Sequence, residues 1–375
     1  MKKLIALLLA LAMAFALVSC GGGNASNPPA ASNPPAASNP DTPDEPSEPA
    51  GGDIDPLEIK FNSTYQETET GGIIQQYFID QLAELSGGAI TVDIKWGGTL
   101  FDTMGELDAV MDGVVDMISL GHMPHLDTLP YLSFPGFAPG GSQAALDYFN
   151  TLIFDNPETS ALIQGEAENL GIKYLNVIAG GANAFATKYE FTDLASMVAG
   201  SSAFGNFDAA IFESLGFQVS PVTPPETYEA LDRGLIDGTQ MALAPMVAMS
   251  WYEVAPYWML DNTYTAGNMF TVNLDWWDSL TDAQRECIQK AADATEDFSA
   301  TMCDDAIATD IATVEEATGN KFVEMTDADK DTFWAACFEA KAADAMKRAE
   351  THNCADGMRT ILEVAAETTG YDWQG

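Results

Sequence analysis

The sequence of 375 residues predicts an α/β fold of two lobes for residues 57–375. Along residues 57–120 the hydrophobic period alternates between that of a strand and that of a helix, which is typical of a mostly parallel sheet with helices on its faces. A helix–glycine–strand junction from this region recurs near Gly234. A body of this length also exceeds what one compact core usually holds, so two lobes are expected.

Residues 57–120 are predicted to contain three strands and two helices. Strands are predicted where apolar and polar residues alternate, and helices where apolar residues fall on one side. Gly87-Gly88 and Gly113 end the two helices. The predicted order is strand 57–61, helix 72–85, strand 90–96, helix 104–111 and strand 114–120.

The junctions at 107–116 and 228–237 resemble each other. Each is a helix that ends at glycine and enters a short strand with an aspartate at the same offset. The second helix has a start signal, because Thr223 can cap it, two prolines follow and Glu226 completes a capping box. Two such junctions indicate two lobes of related construction. Because helix–glycine–strand junctions are common, coincidence is the alternative.

The C-terminal third is predicted to be helical. A capping box at 281–284 opens a helix that ends at Gly319, and a second helical region is predicted over 327–366. Trp276 and Trp277 precede the capping box. We interpret them as helix-packing anchors rather than ligand contacts.

The first residues predict export and lipid anchoring. Residues 1–19 form a lipoprotein signal peptide, with a basic start and an apolar run at 4–17 that is too short to span a bilayer comfortably. Residues 17–21 resemble a bacterial lipobox, which makes Cys20 the predicted lipidation site; an ordinary signal peptide with an incidental cysteine is the alternative. The lipidated cysteine and the segment that follows, 20–56, form a disordered Pro-rich tether of roughly 3 Å per residue.

Charge and cysteine spacing exclude two kinds of partner. The formal net charge of −41 argues against nucleic-acid binding, which needs a basic face for phosphates, and favours solubility after export. The four cysteines beyond the lipobox lack CxxC spacing, so no zinc or other metal site is predicted. Export permits disulfides, but spacing alone does not assign pairs. These cysteines are Cys287, Cys303, Cys337 and Cys354.

The sequence offers no positive sign of an enzyme. It has no nucleotide-binding loop of the GxxxxGK[ST] kind, no HExxH and no GxSxG, and no cofactor is predicted. His122 and His125 follow the predicted strand end at 118–121. Ligands of open α/β sheets bind beyond the carboxyl ends of strands, so His122 is the preferred cleft residue, with an ordinary loop histidine as an equal alternative.

The ordered set of motifs resembles the solute-binding proteins of tripartite ATP-independent periplasmic (TRAP) transporters, DctP type. The likeness covers most of residues 57–320, and it depends on the order of the motifs rather than on any one of them. In this order they are the lipobox, Gly97-Gly98-Thr99-Leu100, Gly113-Val114-Val115-Asp116-Met117, Tyr131-Leu132-Ser133-Phe134-Pro135-Gly136-Phe137, Thr192-Asp193-Leu194, Glu226-Thr227-Tyr228-Glu229-Ala230-Leu231, Gly234-Leu235-Ile236-Asp237-Gly238 and Trp277-Asp278-Ser279-Leu280.

The resemblance implies a type II-like periplasmic-binding-protein fold, with crossing hinge strands and a long lobe-spanning helix. Lobe I would comprise 57–178 plus about 267–306, and lobe II 179–266 plus about 307–375. The lobes would close over a small molecule without altering it and deliver it to integral-membrane transporter subunits. The protein would be exported to the outer face of the cell membrane, or its periplasmic side, and touch the membrane through its lipid anchor only.

The sequence departs from this family at the ligand clamp. The family's usual arginine, which binds a ligand carboxylate, falls on Gly200 or Ser201, and a second arginine falls on Ala182 or Asn183. Between residues 61 and 284 the cationic residues are Lys95, Lys173, Lys188 and Arg233. Arginine–carboxylate pairs are strong and directional, and this sequence lacks an arginine at both positions. We therefore expect a ligand that is neutral, aromatic or cationic. An acid held by Lys188, His122 or helix N-termini is the alternative.

The candidate ligand-binding residues are chosen by position. Tyr65, Trp96 and Phe204 have rings that can stack on a flat ligand, with core packing as the alternative, and Glu67 can receive a cationic group. Met241 stands where the family often has asparagine. The full set is Thr64, Tyr65, Glu67, Trp96, His122, Asn183, Ser201, Phe204, Asn206, Gln240, Met241 and, near the hinge, Thr263.

Three other functions compete with this interpretation. A binding lipoprotein of an ABC importer has the same tether, anchor and two-lobe closure. A surface-anchored hydrolase is the alternative from another class, and a sensory partner that presents ligand to a receptor is the last. Recovery of one unmodified small molecule favours binding, whereas its turnover favours the hydrolase.

Overall fold

The structure is a computed structural model, and it describes residues 54–206 and 208–375. The predicted signal peptide, the lipidation site Cys20 and the tether up to residue 53 lie outside the described residues. Within those residues, no helix is both long and apolar enough to cross a membrane.

Ten strands form one continuous sheet in the order β2-β1-β3-β10-β6-β9-β7-β8, and the short strands β4 and β5 both pair with β10. The strands of residues 54–206 and 208–375 are β1 Leu57–Asn62, β2 Ile90–Lys95, β3 Met117–Gly121, β4 Phe137–Pro139, β5 Ile172–Tyr174, β6 Ile178–Thr187, β7 Phe204–Gly205, β8 Val219–Ser220, β9 Gly238–Ala242 and β10 Tyr257–Asn273.

Strand β10 joins two halves of this sheet. In the first half, β1 pairs in parallel with β2 and with β3. In the second half, β7 pairs in parallel with β8 and β9, while β6 is antiparallel to β9. The 17-residue β10 is antiparallel to β3 through 268–272 and to β6 through 257–268. Strands β6 and β10 therefore carry the chain between the halves, as crossing hinge strands do.

The helices agree with the predicted alternation of elements. The predicted capping boxes at Thr223 and Thr281 are both present. The helices described by the structure are α1 Thr70–Leu85, α2 Glu106–Met111, α3 Ser142–Asn150, α4 Pro157–Asn169, α5 Leu194–Gly200, α6 Ala209–Ser214, α7 Pro224–Asp232, α8 Leu243–Ala248, α9 Leu274–Ser279, α10 Asp282–Thr318, α11 Asp327–Thr351 and α12 Ala355–Thr369.

The long helix α10 has the bounds that the sequence predicts. The amide N–H of Gln284 donates to the Thr281 hydroxyl at 3.3 Å, and the Gln284 side chain accepts from the Thr281 N–H at 2.9 Å. Gly319 ends the helix with a φ of 73°, which glycine adopts without strain. The 37 residues span about 55 Å at 1.5 Å per residue. The helix packs on α1 and on both β6 and α8, so it braces both halves of the sheet.

The predicted helical region 327–366 is helical and consists of two helices. Helix α11 ends at Thr351 and α12 begins at Ala355. Asn353 lies between them with a φ of 58°, and asparagine tolerates the left-handed region better than most residues. The strand predicted from residue 114 also begins later, at Met117, since Val114 is 52% exposed in the preceding turn.

Each half of the sheet has an aromatic core. Phe61, Phe78 and Phe270 pack together in the first half. In the second half, Phe185 and Phe204 pack with three other phenylalanines, Phe212, Phe217 and Phe333. Trp277 is buried in the larger core cluster, as its interpretation as a packing anchor requires. The boundaries of the two predicted lobes stay a prediction.

The four cysteines of the described chain carry free thiols. Three of them, Cys287, Cys303 and Cys337, are buried, and Cys354 is half-buried. Burial raises the pKa of the Cys303 thiol to about 12, so that thiol stays protonated and unreactive near neutral pH. No group of three or more metal-ligating side chains occurs in residues 54–206 and 208–375.

Candidate ligand-binding site

Two cavities border the strands β6 and β10. The first cavity has a volume of about 630 Å³ and the second about 270 Å³, and small-molecule pockets commonly measure about 300–1,000 Å³. Ala242, at the end of β9, lines both cavities. The first is bounded by residues 65–75 and Ser119 on the side of the first half, and by α8 on the side of the second. Groups from both halves therefore face one volume.

Tyr65 connects the loop after β1 to the hinge strand β10. The Asn268 side-chain N–H donates to the Tyr65 hydroxyl at 2.6 Å. The tyrosine ring lies over Gly71, where an added Cβ would stand 2.7 Å from the ring atoms. Glycine is therefore required at the start of α1 for this ring to reach β10. Burial raises the pKa of Tyr65, so its hydroxyl stays protonated at neutral pH and keeps a proton to donate.

Two buried polar side chains of the first cavity have no hydrogen-bond partner among the described residues. Gln75 is 1% exposed, and neither its Oε1 nor its Nε2 is bonded. Ser119 is 2% exposed, and its Oγ is also unbonded. A buried polar group without a partner costs about 1–3 kcal/mol. Both residues line the first cavity, so a molecule in that cavity is placed to supply the missing partners.

The first cavity contains no cationic side chain. Its lining includes one charged residue, Glu69, which is exposed and accepts a hydrogen bond from the Gln66 N–H at 3.0 Å. Nearby, Glu106 is 1% exposed, and neither of its carboxyl oxygens has a hydrogen-bond partner among the described residues. Burial raises the pKa of Glu106 to about 8, which leaves this carboxyl mostly protonated at pH 7. Among the described residues, the lining of this cavity thus holds no positive charge for an anion.

Several polar groups at the second cavity already bond to one another. The buried Asp261 carboxylate accepts from the Thr263 hydroxyl at 2.6 Å and from the Gln240 side chain at 2.5 Å. The Asn183 side chain donates to the Thr263 hydroxyl at 3.0 Å. Burial raises the pKa of Asp261 to about 6 despite these hydrogen bonds. The groups of this network satisfy one another, so the network needs no ligand to complete it. The Ser133 hydroxyl also lines the second cavity, is 6% exposed and has no partner among the described residues.

Half of the predicted site residues line a cavity. The Asn206 side chain donates to the Gln240 carbonyl at 2.8 Å and ties the end of β7 to β9. Tyr65 lines the first cavity, and the second brings together Asn183, Asn206, Gln240, Met241 and Thr263.

The other predicted residues line neither cavity, and as ligand contacts they stay predictions. Phe204 is fully buried in the aromatic core, which is the alternative that the sequence left open. The Ser201 hydroxyl donates to the Asp237 carboxylate at 2.8 Å. His122 is buried, with its ring 6.0 Å from that of Phe149. The remaining three are partly or fully exposed: Thr64, Glu67 and Trp96.

The cationic residues that the sequence singled out also lie outside both cavities. The Lys188 ammonium donates to the Leu231 carbonyl at the end of α7, where a positive charge complements the helix dipole. Lys95 pairs with Asp93, and Arg233 pairs with Glu229.

Lys341 was missed, because it comes from α11, far along the chain from the sheet residues. It lines the second cavity and forms an ion pair with Asp208, which lines the same cavity. Gln75 was missed as well, since a glutamine within a helix has no local signal that it is buried.

A two-lobed α/β fold with cavities beside its hinge strands is typical of solute-binding proteins. A sequence profile of the bacterial extracellular solute-binding protein family 7, DctP, matches residues 61–343. The chain belongs to this family.

Relatives and solved structures agree with that membership. The chain is 23% identical over 287 residues to the C4-dicarboxylate-binding periplasmic protein DctP of Rhodobacter capsulatus, covering 72% of this chain and 81% of that protein. A TRAP periplasmic solute-binding protein from Ochrobactrum anthropi, whose C-terminus is bound in its ligand-binding pocket, matches with a TM-score of 0.70 and 20% identity, covering 84% of this chain and 97% of that one. Another TRAP periplasmic solute-binding protein, from Sulfitobacter sp. NAS-14.1 with bound β-D-galacturonate, matches with a TM-score of 0.62 and 17% identity. That match covers 83% of this chain and 99% of the other.

These findings confirm three predictions. The two-lobed α/β fold is that of TRAP periplasmic solute-binding proteins, and the family is one of extracytoplasmic binding proteins. The protein is therefore a solute-binding protein and not an enzyme. The hydrolase alternative is thereby set aside.

Proposed function

We propose that this protein captures a small molecule in the first cavity and delivers it to the integral-membrane subunits of a TRAP-type transporter. The observation that carries the proposal is the cavity of about 630 Å³ between α1 and β3 on one side and α8 on the other. Closure of two lobes about β6 and β10 would bring these walls together around the ligand. The brace formed by α10 would bend or tilt as the lobes move.

The proposed site works without an arginine clamp. The described lining of the first cavity includes no cationic residue, and the family's arginines would fall on Gly200 or Ser201 and on Ala182 or Asn183. The Ser201 hydroxyl bonds Asp237 and the Asn183 amide bonds Thr263, so both already have protein partners. Enclosing a carboxylate without a partner costs several kcal/mol. The proposed ligand is therefore neutral or cationic.

We also propose that a lipid on Cys20 anchors the protein and that the tether 20–56 holds its folded part away from the membrane. The basis is the lipobox-like segment 17–21 that follows an apolar run. Expression of Cys20→Ala in a bacterium that processes lipoproteins tests this. The variant should move from the membrane fraction to the soluble fraction, and the native N-terminal peptide should carry the mass of a diacylglyceryl group. An unchanged membrane fraction would contradict the anchor.

Native mass spectrometry tests the capture of a solute. The protein is incubated with a metabolite extract, separated from free small molecules and sprayed under native conditions. We expect one unmodified small molecule to be retained and to raise the melting point by mass action when it is added back. Retention of nothing would contradict the proposal. Co-purification with an ATPase-driven membrane complex, rather than with TRAP membrane subunits, would favour the ABC-importer alternative.

A further inference from the structure

Gln75 occupies a position where the packing of α1 favours an apolar residue. The other buried side chains of this helix include Ile74, Phe78 and Leu82, which face the core between the helix and the sheet. Gln75 is as buried as these residues, yet both polar atoms of its amide lack a partner among the described residues. The amide is turned to the first cavity, which it lines. It therefore presents an NH2 group with two donors, and one acceptor oxygen, to whatever fills that volume.

Ser119 presents a third such group from the sheet. Strand β3 is otherwise apolar through Leu120, and Ser119 pairs with Phe270 on β10. Gly121, two residues on, pairs with Asn268, so Ser119 and Asn268 project from the same face of the sheet. Both line the first cavity. Asn268 is already engaged with the Tyr65 hydroxyl, whereas the Ser119 hydroxyl is unbonded in the described structure.

The unbonded groups of the cavity are all uncharged. The Gln75 amide and the Ser119 hydroxyl together offer three hydrogen-bond donors and two kinds of acceptor, and the described lining has no lysine, arginine or histidine. An amide edge, a lactam or a pair of neighbouring hydroxyls matches such groups with no charge left unpaired. A carboxylate would match the donors but would leave the Gln75 carbonyl oxygen facing an anion.

We propose that Gln75 and Ser119 determine the specificity of this site, and that its ligand is an uncharged molecule presenting a hydrogen-bond donor beside an acceptor. This inference rests on the proposed function, because it assigns the ligand class of the same cavity. It excludes a carboxylate as the recognised group.

Matched pairs of probes test the ligand class. Each pair differs chiefly in one charged group: nicotinamide and nicotinate, 2-pyrrolidone and pyroglutamate, and glucose and glucuronate. The melting point of the full chain is measured with each probe at equal concentration. We expect the uncharged member to give the larger rise in at least one pair. A larger rise with the charged members, or no rise in any pair, would overturn the inference.

Variants test the residues. Gln75→Met keeps the size of the side chain and removes its hydrogen bonds, and Ser119→Ala removes one hydroxyl. With the best probe, titration calorimetry should show at least a tenfold weaker affinity for Gln75→Met and a smaller loss for Ser119→Ala. Gln76→Met is the matched control, since Gln76 is the next residue of α1 and bonds Asp80 at 2.9 Å rather than lining the cavity. It should bind as the wild type does.

The melting points without ligand separate a binding defect from a folding defect. Replacing a buried unbonded amide by an apolar side chain is close to neutral or stabilising, so Gln75→Met should melt at or above the wild-type temperature. Wild-type affinity in Gln75→Met would overturn the inference. In that case, a solute retained in the mass-spectrometric experiment would leave the proposed function standing. Retention of no solute would end both.

Discussion

Replacing Lys341 by methionine tests whether the cation of the second cavity belongs to the fold or to a ligand. The side chains of Lys341 and Asp208 are 23% and 26% exposed. Exposed ion pairs contribute about 0–1 kcal/mol, and removing one partner of a fully buried pair costs about 3–5 kcal/mol. We therefore expect Lys341→Met to lower the free energy of unfolding by about 1–2 kcal/mol. The melting point should fall by about 2–6 °C.

A double-mutant cycle isolates this pair. Lys341→Met and Asp208→Asn are measured alone and together by thermal unfolding, and a coupling of about 1 kcal/mol between them is expected. Lys347→Met is the control, because Lys347 is an exposed lysine on the same helix, and it should change stability by less than about 0.5 kcal/mol. Ligand affinity should be unchanged in Lys341→Met. Unchanged stability together with lost affinity would refute this reasoning and make Lys341 the missing anion clamp.

Two further predictions concern stability. Burial raises the pKa of Glu106 to about 8, so this residue favours the folded state when protonated, and its contribution is lost as the pH rises from about 4.5 to 8. The melting point of Glu106→Gln relative to the wild type should therefore increase from pH 5 to pH 9; a constant difference would contradict this. Gly72→Ala should destabilise by about 1–3 kcal/mol, because its Cβ would stand 2.1 Å from the Gln66 carbonyl oxygen. Gly165 is a helical glycine with open space around its Cβ position, so Gly165→Ala should stabilise the protein by about 0.5–1 kcal/mol. Chemical denaturation measures the free energy of unfolding of both glycine variants. A change of the same sign in the two variants would contradict the structure.

Local signals predicted the helices and strands well. The bounds of α10 follow from the capping box at Thr281 and the glycine at 319, both of which act within one helical turn. The break after Thr351 was missed, because it depends on Asn353 in a left-handed conformation. An asparagine in a polar helical stretch carries no clear sign of that conformation.

The candidate site was harder to predict, because its key groups come from separate parts of the chain. Reasoning from position, with the family resemblance, found Asn183, Gln240 and Thr263, which do share a cavity. It did not find Gln75, whose burial depends on how α1 packs, or Lys341, which α11 brings to the second cavity. A count of cations confined to residues 61–284 was therefore bound to miss that lysine. Such contacts are set by tertiary packing, which has no local sequence pattern.

A crystal structure of the protein with the solute that it retains tests the central claim most directly. We expect an uncharged molecule in the first cavity, with polar atoms within about 3.2 Å of the Gln75 amide and the Ser119 hydroxyl and with α1 and α8 closed over it. An acid held by a lysine or arginine would contradict this account. So would a ligand in the second cavity that displaces Lys341 from Asp208.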